Sequence, residues 1–156
     1  MSTESPSRRH PIITSIALVA ILGSAANALV SLGAQALGAP KDGMPFLPPA
    51  YITLTVLAAV VGTFGWRLVT ARAQRPARTL QWLVPVTLLV SFTPDLYLGV
   101  TGAWTWSTVL GAAVMHVVTI SLAVAIFAWQ LPVPRATSAR AASRAVPSSR
   151  TPERAA

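Results

Sequence analysis

The chain has 156 residues, of which 53% are hydrophobic and only 10% charged, and its net charge is +8. So apolar and charge-poor a composition excludes an ordinary soluble domain and reads as a membrane protein. The absence of cysteine excludes disulfide scaffolds, thiolate metal sites, cysteine nucleophiles and dithiol redox motifs together.

In chain order, a short N-terminal tail (1–11) leads into the first of four apolar segments, expected at 12–33, 51–69, 80–99 and 104–129. Each is close to the ~20 residues that a helix needs to cross the hydrocarbon layer. None has Lys, Arg or Glu in its centre, and unpaired backbone in lipid forces each to be helical. The second is the shortest, and reaches full length when Arg67 extends its guanidinium toward the headgroups. "SRRHPIITSIALVAILGSAANA" (7–28) has the basic start, apolar stretch and small residues of a cleaved signal peptide. The apolar pattern continues through Leu29, Val30 and Leu32, which favours an uncleaved helix. Between the first two spans, "GAPKDGMPFLPPA" (38–50) carries Pro40, Pro45, Pro48 and Pro49, so an extended, stiff connection lying on the headgroups is expected. Pro94, near the end of the third span, should kink or end that helix. The last segment, 131–156, lacks apolar bulk and is expected to be disordered and Arg-rich.

The positive charge is distributed as a topology signal, not as a nucleic-acid groove, and no nucleic-acid partner is expected. Arg8 and Arg9, then Arg67, Arg72, Arg75 and Arg78, then five arginines of the C-terminal tail all fall on one side, against Lys41 alone on the other. Short basic connections stay cytoplasmic. The expected fold is therefore an all-α, four-transmembrane-helix bundle (12–130) in the cell membrane with both termini cytoplasmic. The loop and tail arginines would contact anionic headgroups. All five tryptophans fall at expected span ends, where amphipathic rings prefer the interface.

Helices in lipid associate through small residues and interhelical hydrogen bonds. The faces expected to meet are Ala20, Ser24, Asn27, Ser31 and Ala34; Thr55, Ala58, Gly62 and Gly65; Thr87, Ser91, Pro94 and Asp95; and Thr108, Ala112, His116, Thr119 and Ala123. "TVLAAVVG" from Thr55 echoes "TVLGAAVM" from Thr108. The likeness does not extend into the first and third spans, and reads as compositional.

An ionisable group inside a bilayer is costly and marks a candidate site. At about 1.5 Å per residue, His116 falls roughly 15 to 18 Å from the outer interface, while Asn27 and Asp95 lie in the outer third. A direct His116–Asp95 contact then needs a kinked helix or a bridging water; a hydrogen bond to Asn27, Ser91 or Thr87 is the other way to satisfy the imidazole. The candidate intramembrane polar site is His116, Asp95, Asn27 and Ser91. As a functional site it would be a proton relay or small-ligand centre; as packing, His116 links helices and Asp95 is a wet residue at a helix end. A lone histidine makes no metal or bis-histidine haem site, and no nucleophile with its base, carboxylate pair, P-loop or dinucleotide fingerprint is present. No cofactor and no enzymatic chemistry are expected.

"SFTPDL" (91–96) and "MHVV" (115–118), in a chain with four spans, resemble an uncharacterised actinobacterial family of small integral membrane proteins, a domain of unknown function. The likeness covers roughly residues 10–130. It implies the four-helix architecture and no activity. The expected role is thus non-enzymatic, by helix–helix association with a second copy or as an accessory subunit of another membrane protein. The alternative is a small transporter or proton-coupled carrier using His116, Asp95 and Asn27.

Overall fold

A computed structural model describes residues 10–133; of the expected tails, 1–9 and 134–156 fall outside the described residues. Five α-helices, α1 (Pro11–Ala36), α2 (Pro48–Arg72), α3 (Pro76–Ser91), α4 (Thr93–Val100) and α5 (Trp106–Gln130), account for the fold, with no strand among the described residues. Because α3 and α4 continue in one direction as Pro76–Val100, four helices are long and apolar enough to cross a membrane. A span of 25 residues measures about 37 Å at 1.5 Å per residue, more than the ~30 Å hydrocarbon layer.

The helices alternate in direction. One end of the bundle gathers the start of α1, the α2–α3 turn with Arg72, Arg75 and Arg78, and the end of α5; the other holds the proline-rich connection and the α4–α5 turn. α1 packs on α5 and α2, α3 packs on α2 and α5, and α4 packs on α5. α1 meets neither α3 nor α4, so the third span lies diagonally across from the first. That span is the least enclosed of the four. Leu29 and Leu32 on α1, Val61 and Phe64 on α2, Leu89 and Val90 on α3, and Leu110 on α5 face outward, as a lipid-solvated surface requires.

Glycine allows the closest helix approaches. A Cβ on Gly23 would lie 2.8 Å from Thr55 Cγ2, and one on Gly62 would lie 3.1 Å from Phe127 Cε2. At the arginine-rich end, Trp66 is buried, lies 5.7 Å from Phe127 between ring centroids and donates Nε1–H to the Leu131 carbonyl at 3.0 Å. This corrects the expectation that Trp66 sits out at the interface. Its indole satisfies its donor on a helix-terminal carbonyl that has no intrahelical partner, so the ring can turn inward.

The proline-rich connection also departs from expectation. It is not an extended strap on the headgroups: Pro48 and Pro49 open α2, where a missing N–H is harmless and a fixed φ suits the helix. Met44–Phe46 forms a 3-10 turn that drives Phe46 into the bundle, where it is 2% exposed and packs with Ala39 and Met115. Ser31 Oγ donates to the Phe46 carbonyl at 3.1 Å. A Cβ on Gly111 would lie 2.7 Å from Phe46 Cζ, so the ring fits only because position 111 lacks a side chain. The second span thereby starts at Pro48, before the expected residue 51.

The third span breaks where expected. α3 ends at Ser91, Phe92 is a turn residue, and α4 begins at Thr93 with Pro94 in its first turn, the position where proline is tolerated. Ser91 Oγ donates to the Leu88 carbonyl at 2.7 Å, so the loosened backbone finds its partner within its own helix.

Candidate functional site

Two polar clusters lie inside the bundle. The first is built on Asn27, which is 4% exposed. Its Nδ2 donates to Thr55 Oγ1 at 3.0 Å and to Thr119 Oγ1 at 2.9 Å, so one amide ties α1 to α2 and α5. Its Oδ1 is buried without a partner, as is Ser24 Oγ on the same helix.

The second cluster joins the third and fourth spans. His116 Nε2 lies 3.0 Å from Asp95 Oδ2, and the Phe92 ring meets the imidazole edge-on with 6.0 Å between centroids. The pairing is close without being well aligned, since Oδ2 makes no hydrogen bond of good geometry. Distance decides the electrostatic interaction of the two groups, and at 3.0 Å it is strong in a medium of low dielectric.

The depth gap between these residues closes for a geometric reason. His116 is ten residues into α5 from Trp106 and Asp95 is five residues before Val100, so their Cα atoms differ in depth by about 7 Å at 1.5 Å per residue. Helical side chains lean toward their own N-terminus. In α5 that direction runs toward the proline-rich end and in antiparallel α4 away from it, so the two side chains lean toward each other. The break at Phe92 completes the approach.

Of the four residues expected at the site, the structure brings His116 and Asp95 together and leaves the other two elsewhere. Asn27 serves the threonine cluster, and Ser91 bonds only its own helix. Asp95 is not a wet helix-end residue: it is 6% exposed. Thr87 is exposed on α3 and is no partner for His116. Sequence reasoning missed that Thr55 and Thr119 hold Asn27 and that Phe92 abuts His116. The signal for the first was that Asn27, Thr55 and Thr119 all stand on the faces expected to meet; the second had none. Arg67, Arg72, Arg75 and Arg78 are all exposed around the α2–α3 turn, and none is ion-paired among the described residues. The described residues hold no group of three or more metal-type ligands. A shallow groove lined by Thr79, Trp82, Leu83 and Val86 lies on α3, away from both polar clusters.

Residues 7–142 match the model of a family of unknown function (DUF6069). No curated protein and no solved structure matches the chain.

Proposed function

The chain belongs to that family of unknown function, and we propose that it is a non-enzymatic protein of the bacterial cell membrane acting by lateral helix association, as an accessory subunit or with a second copy. The observation behind this reading is the third span. It is the least enclosed, leaves α1 untouched, and presents Trp82, Leu83, Val86, Leu89 and Val90 outward. Charge supports an orientation with both ends cytoplasmic, since Arg67, Arg72, Arg75 and Arg78 gather at one end and Lys41 stands at the other. Anionic headgroups are the natural counter-charge for that arginine end.

The test uses the cysteine-free background. A single cysteine in place of Val86, on the third span, should give oxidative cross-links in native membranes, to a second copy or to one discrete partner. A cysteine in place of Leu32, outward on α1, should give none. Equal cross-linking at both positions, or none at Val86, refutes association through the third span.

A second reading is favoured by one observation, the direct His116–Asp95 contact: a small-ligand site or proton-coupled carrier. Intramembrane ionisable pairs are typical of ion and substrate paths. His116→Gln should then abolish pH-dependent uptake into proteoliposomes while the protein stays folded. Uptake unchanged by His116→Gln removes the carrier reading.

A further inference from the structure

The arginine end of the bundle has no counter-charge of its own among the described residues. Of the four acidic residues of the chain, Asp42 belongs to the opposite end, Asp95 lies within the third span, and Glu4 and Glu153 belong to the tails. Arg75 and Arg78 are exposed, and no acidic group pairs with them among the described residues. The two arginines stand at the top of one continuous stripe of α3. Arg75 is four residues before Thr79 and Arg78 four before Trp82, and Thr79, Trp82, Leu83 and Val86 line the groove on that helix. Residues three and four apart share a helix face, so both charges lie directly above the mouth of the groove. The Arg78 side chain leans toward the helix start, away from the groove and into the headgroup layer. No side chain caps α3, and its first backbone bond runs from Thr79 N–H to the Arg75 carbonyl at 3.0 Å, which leaves a helix start that favours an anion.

Depth fits the same ligand. A 25-residue third span overhangs the ~30 Å hydrocarbon layer by about two residues at each end, which sets Arg78 at the hydrocarbon edge. From Thr79 to Val86 the groove then descends about 10 Å, along most of the ~15 Å that one leaflet contributes. Trp82, 69% exposed, stands just inside the edge, where an indole ring settles. A free phosphate would use the charges and leave the apolar groove beneath them empty. A lipid with an anionic headgroup uses both.

We infer that this stripe binds one anionic phospholipid, its phosphate held by Arg75, Arg78 and the start of α3 and one acyl chain laid along Trp82, Leu83 and Val86. This deepens the headgroup contact of the proposed function from diffuse counter-charge to a single site. It rests on the arginine end lying at a membrane surface and not on lateral association, for Leu89 and Val90, one turn deeper, stay outward and open to a partner helix.

The test titrates the full chain in detergent with dioleoylphosphatidylglycerol or with zwitterionic dioleoylphosphatidylcholine, and counts bound lipids by native mass spectrometry. The expected result is one saturable site that prefers the anionic lipid by about tenfold or more. Arg75→Gln with Arg78→Gln should weaken the anionic lipid roughly thirtyfold, the effect of two arginines beside an anionic headgroup. Arg8→Gln with Arg9→Gln removes the same charge ahead of α1, which does not touch α3, and should change the affinity less than about twofold. Val86→Trp, which fills the groove, should weaken both lipids alike. Equal affinity for the two lipids, equal losses from the two arginine pairs, unchanged binding in Val86→Trp, or displacement by soluble glycerol 3-phosphate overturns the inference. The comparison of lipids uses the unsubstituted chain, so it decides the matter even where a variant does not fold. A failed cross-link at Val86 with this site intact removes the association reading alone, and the converse removes only the site.

Discussion

Asn27 offers the sharpest quantitative test, because its contributions have opposite signs. Its amide makes two interhelical hydrogen bonds, at 2.9 and 3.0 Å. Such bonds in membranes average about 0.6 kcal/mol, so the pair contributes about 1.2 kcal/mol. Against this stands the buried Oδ1 without a partner, whose removal returns about 1 kcal/mol or more. Truncation to alanine also loses two buried heavy atoms beyond the amide carbon, about 1 kcal/mol of contact in a partly relaxing cavity. The threonines left behind do not become orphans, since a helical threonine hydroxyl can turn to the carbonyl four residues earlier, as that of Thr63 does to Ala59 at 2.7 Å. Asn27→Ala should therefore destabilise by only about 1 kcal/mol, measured by reversible SDS unfolding in mixed micelles. A double-mutant cycle with Thr119→Val should return a coupling of about 0.6 kcal/mol, and no more than about 1.7. A loss above about 3 kcal/mol, or a coupling indistinguishable from zero, would show that the amide does not work as a bridge between α1 and α5.

Further outcomes follow from close contacts and topology. Gly111→Ala should destabilise by roughly 1 to 3 kcal/mol through overpacking, because its Cβ would meet Phe46 Cζ at 2.7 Å; Phe46→Leu should relieve that loss, and Gly33→Ala, with nothing within 4 Å, should be near neutral in the same unfolding assay. Trp66→Phe keeps the ring against Phe127 and removes the donor to Leu131, so a loss of about 1 kcal/mol is expected, and an unchanged midpoint would contradict the bond. Single cysteines in place of Asp42 and Gln74 lie at opposite bundle ends; a membrane-impermeant maleimide should label them from opposite sides of sealed vesicles, and labelling of both from one side would refute a membrane-crossing α2.

The number and approximate places of the spans are legible in the sequence because hydrocarbon thickness and backbone satisfaction permit little else. Their inward faces are less so. For α2 the sequence supports Thr55, Ala58, Gly62 and Gly65, yet the buried residues are Thr55, Ala59, Thr63 and Trp66. Both series start at Thr55 and differ in taking a three- or four-residue step. A 3.6-residue repeat lies between the two, and the preference for small residues tips the choice toward glycine. The structure instead turns Trp66 and Thr63 inward, where each satisfies its polar atom on a carbonyl. The proline-rich connection fails for a related reason. Local rules see four helix breakers, whereas the outcome depends on an empty space at Gly111 on a helix more than sixty residues later.

The His116–Asp95 contact shows what kind of information a linear sequence omits. Depth counted along straight helices separates the two residues, and only the opposite lean of side chains on antiparallel helices, added to a break at Phe92, closes the gap. The same break explains why a carboxylate is tolerated there. α4 begins at Thr93, so Asp95 stands in the first turn of a helix, where unpaired N–H groups and the dipole favour negative charge. A continuous third span would place that carboxylate in mid-helix, without this local stabilisation. Pro94 therefore links the backbone to the site: by stopping α3 short of Asp95 it creates the helix start that holds the acid. Pro94→Ala, which lets α3 run through, should loosen the His116 pairing while leaving the Asn27 cluster intact. A ¹⁵N-histidine spectrum of His116 unchanged by Pro94→Ala would disprove that link.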